Sequence, residues 1–240
     1  TVTMTKQPAD FADWARYHLD HLGVEHIFLD VENTPGWNST WDSLTPTLRD
    51  RITVWQDFLE PQPANNYMRQ MDRQARVMDR AMALAKEMGL DWLFHIDDDE
   101  LLYTPLQAKA GEVLASVPFG VEEVHVPNLE AVYDSVNDER CFRHVKNVNA
   151  QPWTFAAYVN GKSGARVTAN MTSWGVHYWR HADGSANVSV LTYNISYETT
   201  RPSLPPLALL HYESCLVSQW MEKFWAMAKI TTNPYSESYY

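Results

Sequence analysis

Apolar positions along the chain change period several times, and each change predicts an element. Residues 2–6, VTMTK, are short and alternating, as in a strand. In DFADWARYHLDHLG (10–23), Phe11, Trp14, His18 or Leu19, and Leu22 recur at helical spacing. Asp10 is the expected N-cap and Gly23 the stop. VEHIFLDV (24–31) is a buried strand. Strand, helix and strand in this order predict parallel pairing with a right-handed crossover.

Residues 32–50 are turn-rich and read as a loop with at most one helical turn. RITVWQDF (51–58) is the next strand, and PQPANN breaks it. A long helix follows over 67–88. Its apolar face is expected at Met71, Ala75, Met78, Met82 and Ala85, and Gly89 ends it. DWLFHI (91–96) is apolar on both faces, as a central strand must be.

The second half is less regular. VEEVHVPNLEAVY (121–133) alternates like a single strand. WTFAAYVNGKSGARVT predicts a hairpin turning at Asn160-Gly161. SWGVHYWRH and LALLHYES are apolar runs, each carrying histidine. SCLVSQWMEKFWAMAK is an amphipathic helix, and residues 231–240 form a loose tail. There are no repeats and no linker. The expectation is one α/β domain, a mostly parallel central sheet with flanking helices and a smaller antiparallel portion.

Composition narrows the classes. The 240 residues are 45% hydrophobic and 20% charged, as in ordinary globular proteins. No apolar run is long enough for a membrane span. A net charge of −11 argues against nucleic acid as a partner. Two cysteines, Cys141 and Cys215, do not make a disulfide framework. The opening TVTMTK reads as a strand already under way, as in a catalytic domain within a longer protein.

The chemistry concentrates in Asp97, Asp98, Asp99 and Glu100, which directly follow the central strand. Ligands of open α/β sheets bind outside the carboxyl ends of strands. If the strand continued through the acids, Asp97 and Asp99 would share one side and Asp98 would point away. Paired carboxylates suit Mn²⁺ or Mg²⁺, and such a cation reconciles an acidic protein with an anionic diphosphate ligand.

Four segments in order carry a family resemblance: ADWARYHLDHLGVEHIFLDVEN, DWLFHIDDDELL, GKSGARVTANMTSWGVHYW and LLHYESCLVSQWMEKF. Together they resemble nucleotide-sugar-dependent glycosyltransferases of the GT-A (Rossmann-like) fold, nearest the family 2-like and family 92-like groups. Where that pattern has a lysine before the serine, this chain has Glu213. The resemblance implies a catalytic domain over 1–230. It also implies a hexosyl- or deoxyhexosyltransferase moving sugar from a UDP- or GDP-type donor to a hydroxyl of a glycan or other acceptor. Asp97 and Asp99 correspond to the D-x-D pair, and His177 to the histidine returning to the metal. The nucleotide is expected over the first strands, near Thr3 and Lys6 and near Asp30 or Glu32. Arg73 resembles the helix residue close to the nucleotide, and Lys162 and His211 are expected to contact phosphate.

The nearer relatives of that pattern are inverting, and an inverting transferase needs a base for the acceptor hydroxyl. Glu130 leads and Asp134 follows among the acids beyond the D-x-D strand. Trp37, Trp41, Trp153, Trp174 and Trp179 are candidate faces for sugar rings. Two other classes share parts of the pattern. One is a metal-dependent nucleotidyltransferase or phosphohydrolase, the other a non-enzymatic carbohydrate-binding module.

Overall fold

A computed structural model describes residues 1–5, 10–32, 34–56, 69–105, 107–133, 145–149, 160–185, 187–195 and 203–212, with isolated positions at 142, 218, 221, 224, 225 and 228. Lys6, Asp134, Trp153, both cysteines and the tail at 231–240 lie outside the described residues, as does most of the helix expected before that tail.

The opening unit forms as expected. Strand β1 (Val2–Thr5) leads to helix α1 (Phe11–Arg16), which runs on through one π-helical turn at Tyr17–His21 into strand β2 (Ile27–Val31). The two strands pair in parallel, Val2 opposite Phe28. Phe11, Trp14, Ala15 and Leu19 are the buried face of this helical segment. Its first turn is closed by the Asp10 carbonyl, which accepts from the Trp14 amide. Gly23 follows with φ +77, a left-handed stop.

The stretch at 32–50 holds two helices rather than a loop: α2 (Trp37–Ser43) and α3 (Pro46–Arg49). The Thr45 hydroxyl caps α3 by accepting from Leu48 N, and Pro46 sits at its first position. Burial of Trp37, Leu44 and Leu48 in the main core supplies what the turn-rich composition hid. Strand β3 (Ile52–Gln56) pairs in parallel with β2. Helix α4 (Gln70–Glu87) covers this sheet through Gln74, Val77, Met78, Ala81, Met82 and Ala85. The buried face is thus rotated from the expected one, with Met71 and Ala75 at its margin.

Strand β4 (Trp92–Phe94) extends the sheet beside β1 through a parallel bridge between Val2 and His95. Strand β5 (Glu100–Tyr103) and helix α5 (Ala110–Ala115) come next. The stretch at 121–133 is two strands, β6 (Glu123–Val126) and β7 (Asn128–Tyr133), divided at Pro127. Proline has no N–H for a ladder, so the chain changes sheets there. After β7 come β8 (Val145–Asn149), β9 (Lys162–Arg166) and the hairpin of β10 (Met171–Trp174) and β11 (Tyr178–His181), then β12 (Val190–Thr192) and β13 (Ala208–His211).

One ladder runs β4, β9, β6 and β12, with β9 antiparallel to both neighbours. A second sheet has the order β5, β13, β7 and β8. The result is a mixed α/β fold with a parallel three-stranded sheet. Among the described residues, no helix is long and apolar enough to cross a membrane.

Candidate functional site

Strand β4 ends in a turn, so the four acids do not continue it. The Glu100 amide donates to the Asp97 carbonyl at 3.1 Å. The Glu100 carboxylate turns back to accept from the Asp97 amide at 2.7 Å. This is a β-turn with Asp98 and Asp99 at its centre, residue types that turns favour. The expected alternation of sides therefore gives way to a splay. Asp97 faces β9 and α4, Asp98 faces β1, Asp99 faces β13, and Glu100 lies beneath.

Asp97 and Glu100 share one cation, and Asp98 has a separate partner. Lys162 on β9 is fully buried, and its ammonium lies 2.7 Å from Asp97 and 3.7 Å from Glu100. Gln74 of α4 donates to the other Asp97 oxygen at 2.7 Å. Burial alone would raise Asp97, but the Lys162 charge outweighs it and holds the carboxyl below the usual range. Thr5, the last residue of β1, donates to Asp98 at 2.5 Å. Burial and then the Asp99 charge push Asp98 up to about 7. Burial also raises Glu100, against the pull of Lys162.

The second sheet contributes a cross-strand row. His211 on β13 stands opposite Glu100 on β5 and opposite Glu130 on β7. Directly opposed side chains on one face of a sheet are held close. Its Nδ1 is 2.9 and 3.0 Å from the two Glu130 oxygens, and its Nε2 is 3.9 Å from Asp99. Asn128 also donates to Glu130, at 2.7 Å. Burial would lower His211. The bond to Glu130 and the charges of Asp99 and Glu100 outweigh it and raise the imidazole to about 9.

Two further histidines reach the same end of the sheet. His177, on the turn between β10 and β11, shares a hydrogen bond through Nδ1 with the Gly161 carbonyl at 2.8 Å. His95, fully buried, does the same with the Val176 carbonyl at 3.0 Å, and its Nε2 lies 3.8 Å from Asp97. Carbonyl oxygens only accept, so both rings carry the proton on Nδ1. Gly161 is required where it stands: φ is +60, and a Cβ there would lie 2.1 Å from the Val126 carbonyl oxygen.

Of the residues singled out from sequence, Asp97, Asp99, Lys162, His177, Glu130 and His211 gather at this end. Glu32 and Arg73 form a buried ion pair between β2 and α4. Thr3 and Asp30 are buried within β1 and β2. Trp37 and Trp179 are core residues and so present no face to a sugar, whereas Trp174 is 64% exposed. Gln74, Thr5, His95 and Asn128 were missed. Two of them carried a signal: Gln74 follows Arg73 on the buried helix face, and His95 precedes Asp97 by two.

At Asp99 and His211 a carboxylate faces an imidazole that is protonated at neutral pH, so the two stand as an ion pair and would offer a nitrogen to a divalent cation only on loss of that proton. Among the described residues no group of three His, Cys, Asp or Glu side chains suits a metal ion. Mn²⁺ and Mg²⁺ at phosphate sites are commonly held by one or two protein ligands plus the phosphates.

No family model matches the chain. It is 26% identical over 218 residues to an Arabidopsis thaliana protein, "Glycosyltransferase-like At2g41451", covering 74% of this chain and 48% of that protein. A second Arabidopsis thaliana protein, "Glycosyltransferase-like At3g57200", is 26% identical over 137 residues, covering 48% of this chain and 27% of that protein. The chain thus spans about half the length of the first relative and about a quarter of the second. These likenesses support a glycosyltransferase family.

Proposed function

We propose that residues 1–230 are a GT-A catalytic domain, with 231–240 as a tail. It moves a hexosyl or deoxyhexosyl group from a UDP- or GDP-type sugar to an acceptor hydroxyl, with inversion. The observation that carries this reading is the Asp99 carboxylate facing His211 Nε2 at 3.9 Å, at the carboxyl end of β1 and β4. Asp99 and His211 would hold Mn²⁺ or Mg²⁺. Asp97 and His177, ligands by resemblance, are at the same end of the sheet. A cation there supplies Lewis-acid stabilisation of the diphosphate as it leaves.

The chain's own residues do the rest. Holding the cation requires His211 Nε2 to give up its proton, while Nδ1 keeps its own toward Glu130. Lys162 neutralises Asp97 from below, so the acids do not repel an incoming diphosphate at full charge. The Glu32–Arg73 pair fixes the floor where the nucleotide is to lie, at the ends of β2 and α4. Both Glu130 oxygens are engaged by His211 and Asn128.

Thermal unfolding with UDP or GDP, with and without Mn²⁺, tests the reading. Nucleotide at 100 times its dissociation constant should stabilise the protein by about 2.7 kcal/mol. The gain should require Mn²⁺ and vanish in Asp99→Asn. A gain of equal size without metal, or one retained by Asp99→Asn, refutes the assignment. Release of inorganic phosphate with no acceptor sugar present would indicate a phosphohydrolase instead.

A further inference from the structure

We propose that Glu130 is a positioning residue that acts through His211 and does not itself meet the acceptor. The inference rests on the proposed metal-dependent reading of this site. Glu130 was the leading candidate for the base, yet its carboxylate is turned inward. It is 4% exposed, one oxygen takes both Asn128 and His211, and the other takes His211. A base must lie within hydrogen-bond reach of the proton it removes. Glu130 instead reaches the imidazole, and the strand register explains why. Glu130 and His211 are paired directly across β7 and β13, with Glu100 paired to His211 on the other side.

The consequence falls on Nε2. A carboxylate that accepts from Nδ1–H fixes the ring's rotation, and it fixes the tautomer once Nε2 gives up its proton. Here that turns Nε2 toward Asp99, across 3.9 Å. His211 Nε2 is therefore the nitrogen that faces Asp99, and Glu130 is what keeps it facing that way. Asn128 holds the second lone pair of the same carboxylate and stops it swinging away.

The test separates a hydrogen-bond acceptor from a proton acceptor. Gln at 130 keeps an oxygen for His211 Nδ1–H but cannot take a proton, and Asn128 can turn its amide to match. Glu130→Ala, Glu130→Gln, His211→Ala and the Ala/Ala double variant are compared by calorimetric binding of UDP or GDP with Mn²⁺. Glu130→Ala should weaken binding about 10–100-fold, the usual cost of losing an outer partner of a ligating histidine. Glu130→Gln should recover most of that loss, and the double variant should bind no worse than His211→Ala alone. Full binding in Glu130→Ala overturns the proposal, as does additive loss in the double variant. So does turnover abolished equally by Ala and Gln with binding intact, which would make Glu130 the base. The imidazole ¹⁵N signals of His211 in the ligand-free protein give a second measurement. They should move in Glu130→Ala and stay near wild type in Glu130→Gln, and unchanged signals in Glu130→Ala overturn the proposal. If wild type binds neither nucleotide, the transferase reading fails, and the ¹⁵N signals alone decide the positioning role.

Discussion

Replacing Lys162 with methionine removes a cation from the acid cluster and keeps most of the side-chain stem. The ammonium is fully buried, 2.7 Å from Asp97 and 3.7 Å from Glu100. Removing one partner of a buried ion pair costs about 3–5 kcal/mol, because the remaining charge is left uncompensated. Two features favour the low end. The Asp97 side chain is 32% exposed, so water takes over part of its stabilisation. Glu100 is buried with its proton affinity already raised, so it can meet the loss by staying neutral. The expected cost is therefore about 3 kcal/mol. At about 2–4 °C per kcal/mol for a chain of this size, the melting temperature should fall by about 6–12 °C. Scanning calorimetry at neutral pH measures it. The deficit should shrink as pH falls, because protonated carboxyls need no counter-ion. A Lys162→Met protein melting within 2 °C of wild type (on the order of 0.5 kcal/mol) would refute the view that Lys162 neutralises the cluster.

Three other outcomes are expected. His18 is fully buried, accepting from the Leu102 amide through Nε2, and burial lowers it from 6.5 to about 3. Its folded-state value is depressed, so the unfolded chain binds the proton first. The stabilisation is complete above 6.5 and is lost as pH falls toward 3, a swing of up to about 5 kcal/mol. Denaturant titrations from pH 7 to 4 should show that slope, reduced in His18→Gln. Gly164→Ala would set a Cβ 2.2 Å from the Phe94 ring, and overpacking of this kind costs about 1–3 kcal/mol, read as a lower thermal midpoint by circular dichroism. His177→Ala should cost the ligand-free protein about 1 kcal/mol or less, the worth of its bond to Gly161. It should weaken Mn²⁺-dependent nucleotide binding less than His211→Ala does; the reverse order would return the ligand role to His177.

The sequence by itself determined the local elements wherever period and punctuation agreed. β1, α1 and β2 were legible because helical spacing sits between two short apolar runs and Gly23 closes the helix. The place of the acid cluster at the end of β4 was legible too, since four acids directly follow a doubly apolar strand. What failed was anything set by contacts between distant segments. Turn-rich residues 32–50 became helical because Trp37, Leu44 and Leu48 found a core to enter. A seemingly continuous strand at 121–133 divided at Pro127 because its halves pair with different partners, β9 and β13. The orientation of each acid followed from a turn closed by the Glu100 side chain, not from strand alternation. The pairing of Glu130 with His211 was out of reach for the same reason. The two residues are 81 apart in sequence and meet only through strand register, which tertiary structure alone sets.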